Sequence, residues 1–223
     1  MLFSPPPECK INIKRAFTLA EVLITLVIIG VIAAIAVPSL LQSTQKNEFV
    51  VRLQKADSTL RQSVLKISMK EGLPPGDYTF MTNDDFFNEF EKTVNTVKVC
   101  KGSERGCFST SSKQMNGIYW SGFDRINSLV TADGIAYNWD QRYCDGKGLT
   151  SEDLQNCIGR FLIDLNGVSG PNRFGYDIFF FAVVNGKGVV AAGSGNDSAD
   201  CKRGRNGITC AAKVLKEKKI SYL

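Results

Sequence analysis

The sequence predicts an α+β protein: one long N-terminal helix followed by a small, mostly antiparallel β-sheet. Three observations carry that expectation. An uncharged apolar run of membrane length lies near the N-terminus. Directly after it, apolar residues return at helical spacing in an otherwise polar stretch. Beyond that come short segments rich in β-branched and aromatic residues, separated by Gly, Asn and Asp. The chain has 223 residues, room for one domain with extensions or for two small domains.

Residues 1–16 are short, proline-bearing and end in Lys14-Arg15-Ala16. From Val22 to Val37 the chain carries no charge, and continuing through Pro38-Ser39-Leu40-Leu41 gives about 20 residues, enough to cross a bilayer core as a helix. The basic residues before this run place that end in the cytoplasm. From Gln42 to Glu71, the residues Phe49, Leu53, Ala56, Leu60, Val64 and Ile67 form one apolar stripe, so an amphipathic helix continues the apolar one. Gly72-Leu73-Pro74-Pro75-Gly76 ends it, because proline cannot continue a helix. The helix from Phe17 to Glu71 would be about 80 Å long. A globular core could bury the stripe of its second half but has no use for the all-round apolar first half. Asp84–Lys92 reads as a short helix. Thr96–Cys100, Ile135–Trp139, Phe161–Leu165, Asp177–Val184 and Gly188–Ala192 read as strands, with Asn185-Gly186 as a tight hairpin between the last two. The expected organisation is a leader (1–16), a membrane or filament-core helix (17–41), its amphipathic continuation (42–71) and an exported α+β domain (72–223).

The motif that carries function is Lys14-Arg15-Ala16-Phe17-Thr18-Leu19-Ala20-Glu21. It resembles the leader junction of type IV prepilins and type II secretion pseudopilins. In that family a basic leader ends in a small residue, usually glycine. A membrane-embedded prepilin peptidase then cuts before a phenylalanine that becomes N-methylated. Here the resemblance implies cleavage between Ala16 and Phe17, with alanine in place of the usual glycine. It also implies that Glu21, fifth residue of the mature chain, neutralises the new amine of a neighbouring subunit. Pro38 falls where many members carry a proline inside the first helix. The implied partners are the peptidase, other pilin or pseudopilin subunits through the N-terminal helix, an assembly platform protein, and the membrane before assembly. The implied location is the cytoplasmic membrane, single-pass with the C-terminal domain outside the cytoplasm, and then a filament. The resemblance is specific over residues 14–45 and only architectural beyond them.

Elementary chemistry supports this. A carboxylate at membrane depth costs several kcal/mol by most estimates and is usually functional or paired. Small residues Gly30, Ala33, Ala34 and Ala36 would let helices approach closely. A competing reading is an ordinary secretory signal cut at Ala34-Ile35-Ala36, leaving a soluble exported protein that starts at Val37. Against it stands a helical pattern that crosses the supposed cut.

The chain has no histidine, which removes the commonest general base and metal ligand, and it shows no G-x-S-x-G, Walker or dinucleotide fingerprint; an enzyme is not expected. Of seven cysteines, Cys9 precedes the apolar run and six follow it. That partition fits disulfides in an oxidising compartment. Six cysteines allow fifteen connectivities; short loops favour Cys100/Cys107, Cys144/Cys157 and Cys201/Cys210. No cofactor is expected, with one competing reading. Asp164 and Asn166 before Gly167, leading to Asp177, have the alternating oxygen side chains of a calcium loop but lack its closing glutamate. A turn using Asn and Gly is the favoured alternative. Lys202, Arg203, Arg205, Lys213, Lys216, Lys218 and Lys219 crowd the C-terminus. A minor pilin with a DNA- or surface-binding role is the competing functional reading, but a solvated basic face is favoured and nucleic acid is not an expected partner.

Overall fold

A computed structural model describes residues 17–73, 77–78, 81–102, 104–120, 127–141, 144, 148–195 and 200–223. The expected leader, with Ala16, and the Pro74-Pro75-Gly76 stop lie outside the described residues. The chain forms two compact units, Met1–Ser43 and Thr44–Leu223, and helix α1 (Leu19–Lys70) contributes to both. The helix starts two residues later than Phe17 and runs without interruption through Pro38.

In the first unit every described residue is exposed. In the second, the predicted stripe is the buried face of α1: Phe49, Val50, Leu53, Ala56, Leu60, Val64 and Ile67 are all buried. Polar side chains fasten the same stretch at its edges. Arg52 Nη1 donates to the carbonyls of Asp133 (3.2 Å) and Leu165 (3.0 Å), and Arg61 Nη1 donates to the carbonyl of Val189 (2.8 Å). The Tyr78 hydroxyl donates to Val64 O at 2.7 Å.

Helix α2 (Asn83–Thr93) follows, started by Thr82, whose hydroxyl accepts from Asp85 N. It buries Phe86, Phe87 and Phe90. The main sheet has six strands in the order β1-β4-β5-β6-β7-β8, every neighbouring pair antiparallel. Its members are β1 (Thr96–Cys100), β4 (Asn127–Thr131), β5 (Ala136–Asp140), β6 (Cys157–Asp164), β7 (Ile178–Val184) and β8 (Gly188–Ala191). A two-stranded ribbon, β2 (Ser112–Lys113) with β3 (Tyr119–Trp120), lies in sequence between β1 and β4. Short helix α3 (Ser151–Gln155) precedes β6, and α4 (Cys210–Glu217) closes the chain.

Antiparallel sheets commonly leave one face to water. Here both faces are covered, which explains why β7 is apolar and buried at every position. Phe179, Phe181 and Val183 share a core with Leu53, Leu60 and Phe90. Phe180 and Ile178 face the other way, into a second cluster with Phe108, Phe174 and Ile208. Gly159 is required by packing: a Cβ there would lie 2.4 Å from the Trp139 ring. The β7–β8 hairpin turns at Asn185-Gly186 as expected, with one further residue in its loop. Val184 pairs with Gly188, so the loop has three residues, Asn185 to Lys187, and the positive φ values fall at Gly186 and Gly188.

Candidate functional site

The first turn of α1 is organised by its own side chains. Glu21 Oε2 accepts from both the backbone N–H (2.9 Å) and the hydroxyl (2.9 Å) of Thr18, while Glu21 N donates to Thr18 Oγ1 at 3.2 Å. This reciprocal arrangement is a capping box, Thr at the cap and Glu three residues on. The spacing Thr18-x-x-Glu21 signals it in the sequence, where we read only the carboxylate. The box holds that carboxylate against Thr18, at the very start of the helix.

From Phe17 to Ser43 no side chain is buried within the chain, and the apolar ones stand open: Ile28 is 53% exposed and Ile35 74%. A Cβ at Gly30 would meet nothing within 4 Å, so packing within the chain does not require glycine there. Pro38 has no N–H to give the Ala34 carbonyl, one loosened point in an otherwise regular ladder. α1 is long and apolar enough to cross a membrane.

These features describe a helix that begins in a capped acidic turn and offers its apolar surface outside its own chain, as a membrane anchor or an assembly element would. The comparisons with known proteins agree. Residues 11–37 match the family model described as the prokaryotic N-terminal methylation motif. The chain is similar to a "Fimbrial protein" of Dichelobacter nodosus, 27% identical over 166 residues, covering 66% of this chain and 96% of that protein. It is equally similar to a "Type IV major fimbrial protein FimA" of the same organism, 27% identical over 167 residues with the same coverage. No solved structure matches the chain significantly. The chain thus carries the prepilin methylation motif and is pilin-like, and the relatives are structural fimbrial proteins. A soluble domain starting at Val37 is not favoured, since both the matched motif and α1 run through Ala36.

In the second unit the cysteines form three disulfides, Cys100–Cys107, Cys144–Cys157 and Cys201–Cys210, closing separations of 7, 13 and 9 residues. Lys202, Arg203 and Arg205, inside the last of these loops, are exposed, as are Lys216, Lys218 and Lys219, whereas Lys213 pairs with Glu217.

Asp164 ends β6 and Asp177 precedes β7, and both are fully buried. Burial, reinforced by Asp177, pushes the Asp164 carboxyl well above the usual carboxylate range. Burial also pushes Asp177 up to about 6, although its oxygens accept from the backbone N–H of Asn172 (2.7 Å) and Arg173 (2.6 Å). Asp177 therefore pins the β6–β7 loop through its backbone. Asn166 N donates to Asp164 Oδ1 at 3.2 Å, and Asn166 Nδ2 to Gly170 O at 2.8 Å. No group of three or more His, Cys, Asp or Glu suited to a metal occurs among the described residues.

Proposed function

We infer that this chain is a structural subunit of a type IV pilus-like filament, made as a prepilin and matured by cleavage between Ala16 and Phe17 with N-methylation of Phe17. One observation carries the reading: the methylation-motif match, residues 11–37, takes in most of the stretch of helix whose apolar residues the chain itself leaves exposed. Such a surface needs lipid first and equivalent helices afterwards. Before assembly the helix anchors the chain in the cytoplasmic membrane with the domain outside the cytoplasm. A prepilin peptidase exposes the Phe17 amine, and an assembly platform protein receives the subunit.

Glu21 supplies the register. In the separate chain its charge is satisfied locally by Thr18. In a filament it meets the Phe17 amine of a neighbour, a charged pair among apolar surfaces that otherwise could slide past one another. Pro38 supports the reading as a point where the packed helix can adapt. Exchanging Glu21→Val should leave the second unit folded and the protein in the membrane but reduce sheared or secreted filaments at least tenfold. Filament yield equal to wild type would contradict this role for Glu21.

A further inference from the structure

Beside the buried stripe of α1 the second unit holds a polar groove of about 340 Å³. Its walls are α1 from Lys55 to Lys66, the connector between α2 and β1, and the turn between β4 and β5. The walls are fastened to one another. Lys55 Nζ lies 2.6 Å from Asp133 Oδ2, Arg52 Nη1 donates to Asp133 O, and Ala132 N donates to Asn95 O at 2.9 Å. The groove is therefore formed before any ligand arrives, as small-molecule sites usually are, and its volume falls at the small end of their range. Several of its polar groups have nothing to bind within the chain. Ser63 is only 2% exposed and lines the groove, yet its hydroxyl has no hydrogen-bond partner among the described residues. Buried polar groups are normally paired, and one that opens into a groove is paired by what fills the groove. The Asn95 amide, the Lys66 ammonium and the Gln62 amide oxygen likewise have no partner among the described residues, although Gln62 Nε2 donates to Ser58 Oγ at 2.9 Å.

We propose that this groove binds one acidic sugar unit of a polysaccharide, a hexuronate in the simplest case. The unpaired groups are a hydroxyl, two amides and an ammonium, a mixture of donors and acceptors. A ring of hydroxyls, each both donor and acceptor, matches that mixture, whereas an apolar ligand would bury it unsatisfied. The rest of the lining supplies the other half of the match. Val94, Ala132 and Tyr137 give the groove a small apolar surface for the C–H face of a pyranose. Charge selects an acid. Two ammoniums, Lys55 and Lys66, meet one carboxylate, Asp133. Lys55 is committed to Asp133, which leaves Lys66 for a ligand carboxylate. Ser63 belongs to the α1 wall and Asn95 to the connector, so hydroxyls around one ring reach both. With few hydrogen bonds and one charge pair, the affinity for a single sugar falls near a Kd of roughly 10⁻³ M. The site lies wholly in the second unit and is independent of the filament reading.

The test is NMR of the full isotope-labelled chain in detergent, titrated separately with glucuronate, glucose and acetate, each to about 50 mM, well above the expected Kd. Glucuronate should shift the amide signals of Ser63, Asn95 and Ala132 together, with a single Kd. Glucose should shift the same signals about three- to fivefold more weakly, the worth of one exposed charge pair. Acetate should leave the Asn95 signals in place. Lys66→Gln, at an exposed position without a partner among the described residues, should keep the melting temperature and erase the preference for glucuronate. Asn95→Ala should weaken both sugars about five- to tenfold, through one or two lost hydrogen bonds. No localised shift with glucuronate, or equal shifts with acetate, would overturn the site, the latter showing an adventitious ion only. Glucuronate binding undiminished in both variants would overturn the groove as its location, and glucose binding as tightly as glucuronate would overturn the acidic class of ligand.

Discussion

The two halves of α1 share one helix and opposite fates. Between Leu19 and Ser43 the sequence is apolar on every side and its side chains are exposed; between Phe49 and Ile67 only one stripe is apolar and that stripe is buried. The difference separates two uses of hydrophobic surface. The second half folds the domain, each apolar residue stabilising the chain it belongs to. The first half contributes nothing to that core, so its apolar surface serves contacts outside the chain. Small residues divide in the same way. Gly159 is forced by the Trp139 ring, whereas a side chain at Gly30 would meet nothing within its own chain.

Truncation within the helix should break this comparison most sharply. Leu60→Ala, at a fully buried position, should destabilise the second unit by about 3–5 kcal/mol, counting lost transfer energy and residual cavity. Ile28→Ala should change the same unfolding transition by less than about 0.5 kcal/mol. Equal effects of the two substitutions on thermal melts of the full chain would dissolve the distinction. The disulfides come next. Replacing Cys144 and Cys157 together by serine, which opens the loop of 13 residues, should cost about 2–3 kcal/mol, confined to the second unit. Reduction with dithiothreitol should match it in direction and leave membrane extraction of the first unit unchanged.

The smallest effect is electrostatic. The Lys187 ammonium, 2.7 Å from Asp153, holds that carboxyl below its usual range. A lowered carboxyl pKa contributes stability above the unfolded value, near 3.8, and loses it as pH falls through the folded value. The advantage of wild type over Lys187→Met in melting temperature should therefore be full at pH 5 and shrink below about pH 4. An advantage unchanged down to pH 2.5 would show that Lys187 acts through something other than this pair.

What the sequence disclosed follows from how local each signal is. The stripe Phe49 to Ile67 repeats over five turns, so its period alone identifies both the helix and its buried face. The strands Thr96–Cys100 and Ile178–Val184 are dense in β-branched and aromatic residues and were legible for that reason, although β6 begins at Cys157, four residues before the expected Phe161. Strand β4 carried no such pattern. It buries Asn127 and Ser128, which find partners only once the chain has folded: Asn127 Nδ2 donates to Asp84 Oδ1 at 2.7 Å, and Ser128 Oγ accepts from Asn138 Nδ2 on the neighbouring strand at 2.8 Å. Helix α4 is short, lacks a side-chain cap and sits among lysines that read as a solvated segment. At the N-terminus, Glu21 stood out because its motif is contiguous, and Pro38 because it lies at a set distance from Phe17 inside an apolar run. The place of the Asn172 side chain did not, because only the folded loop brings its amide beside Asp164 and two carbonyls.

If the exposed half of α1 is the assembly element of a processed pilus-type subunit, the first residue of the mature chain must show it. Mass spectrometry of the protein recovered from its native membrane or filament should find N-methylated Phe17 as the first residue. A mature chain starting at Val37, or one retaining residues 1–16 in assembled material, would contradict the account.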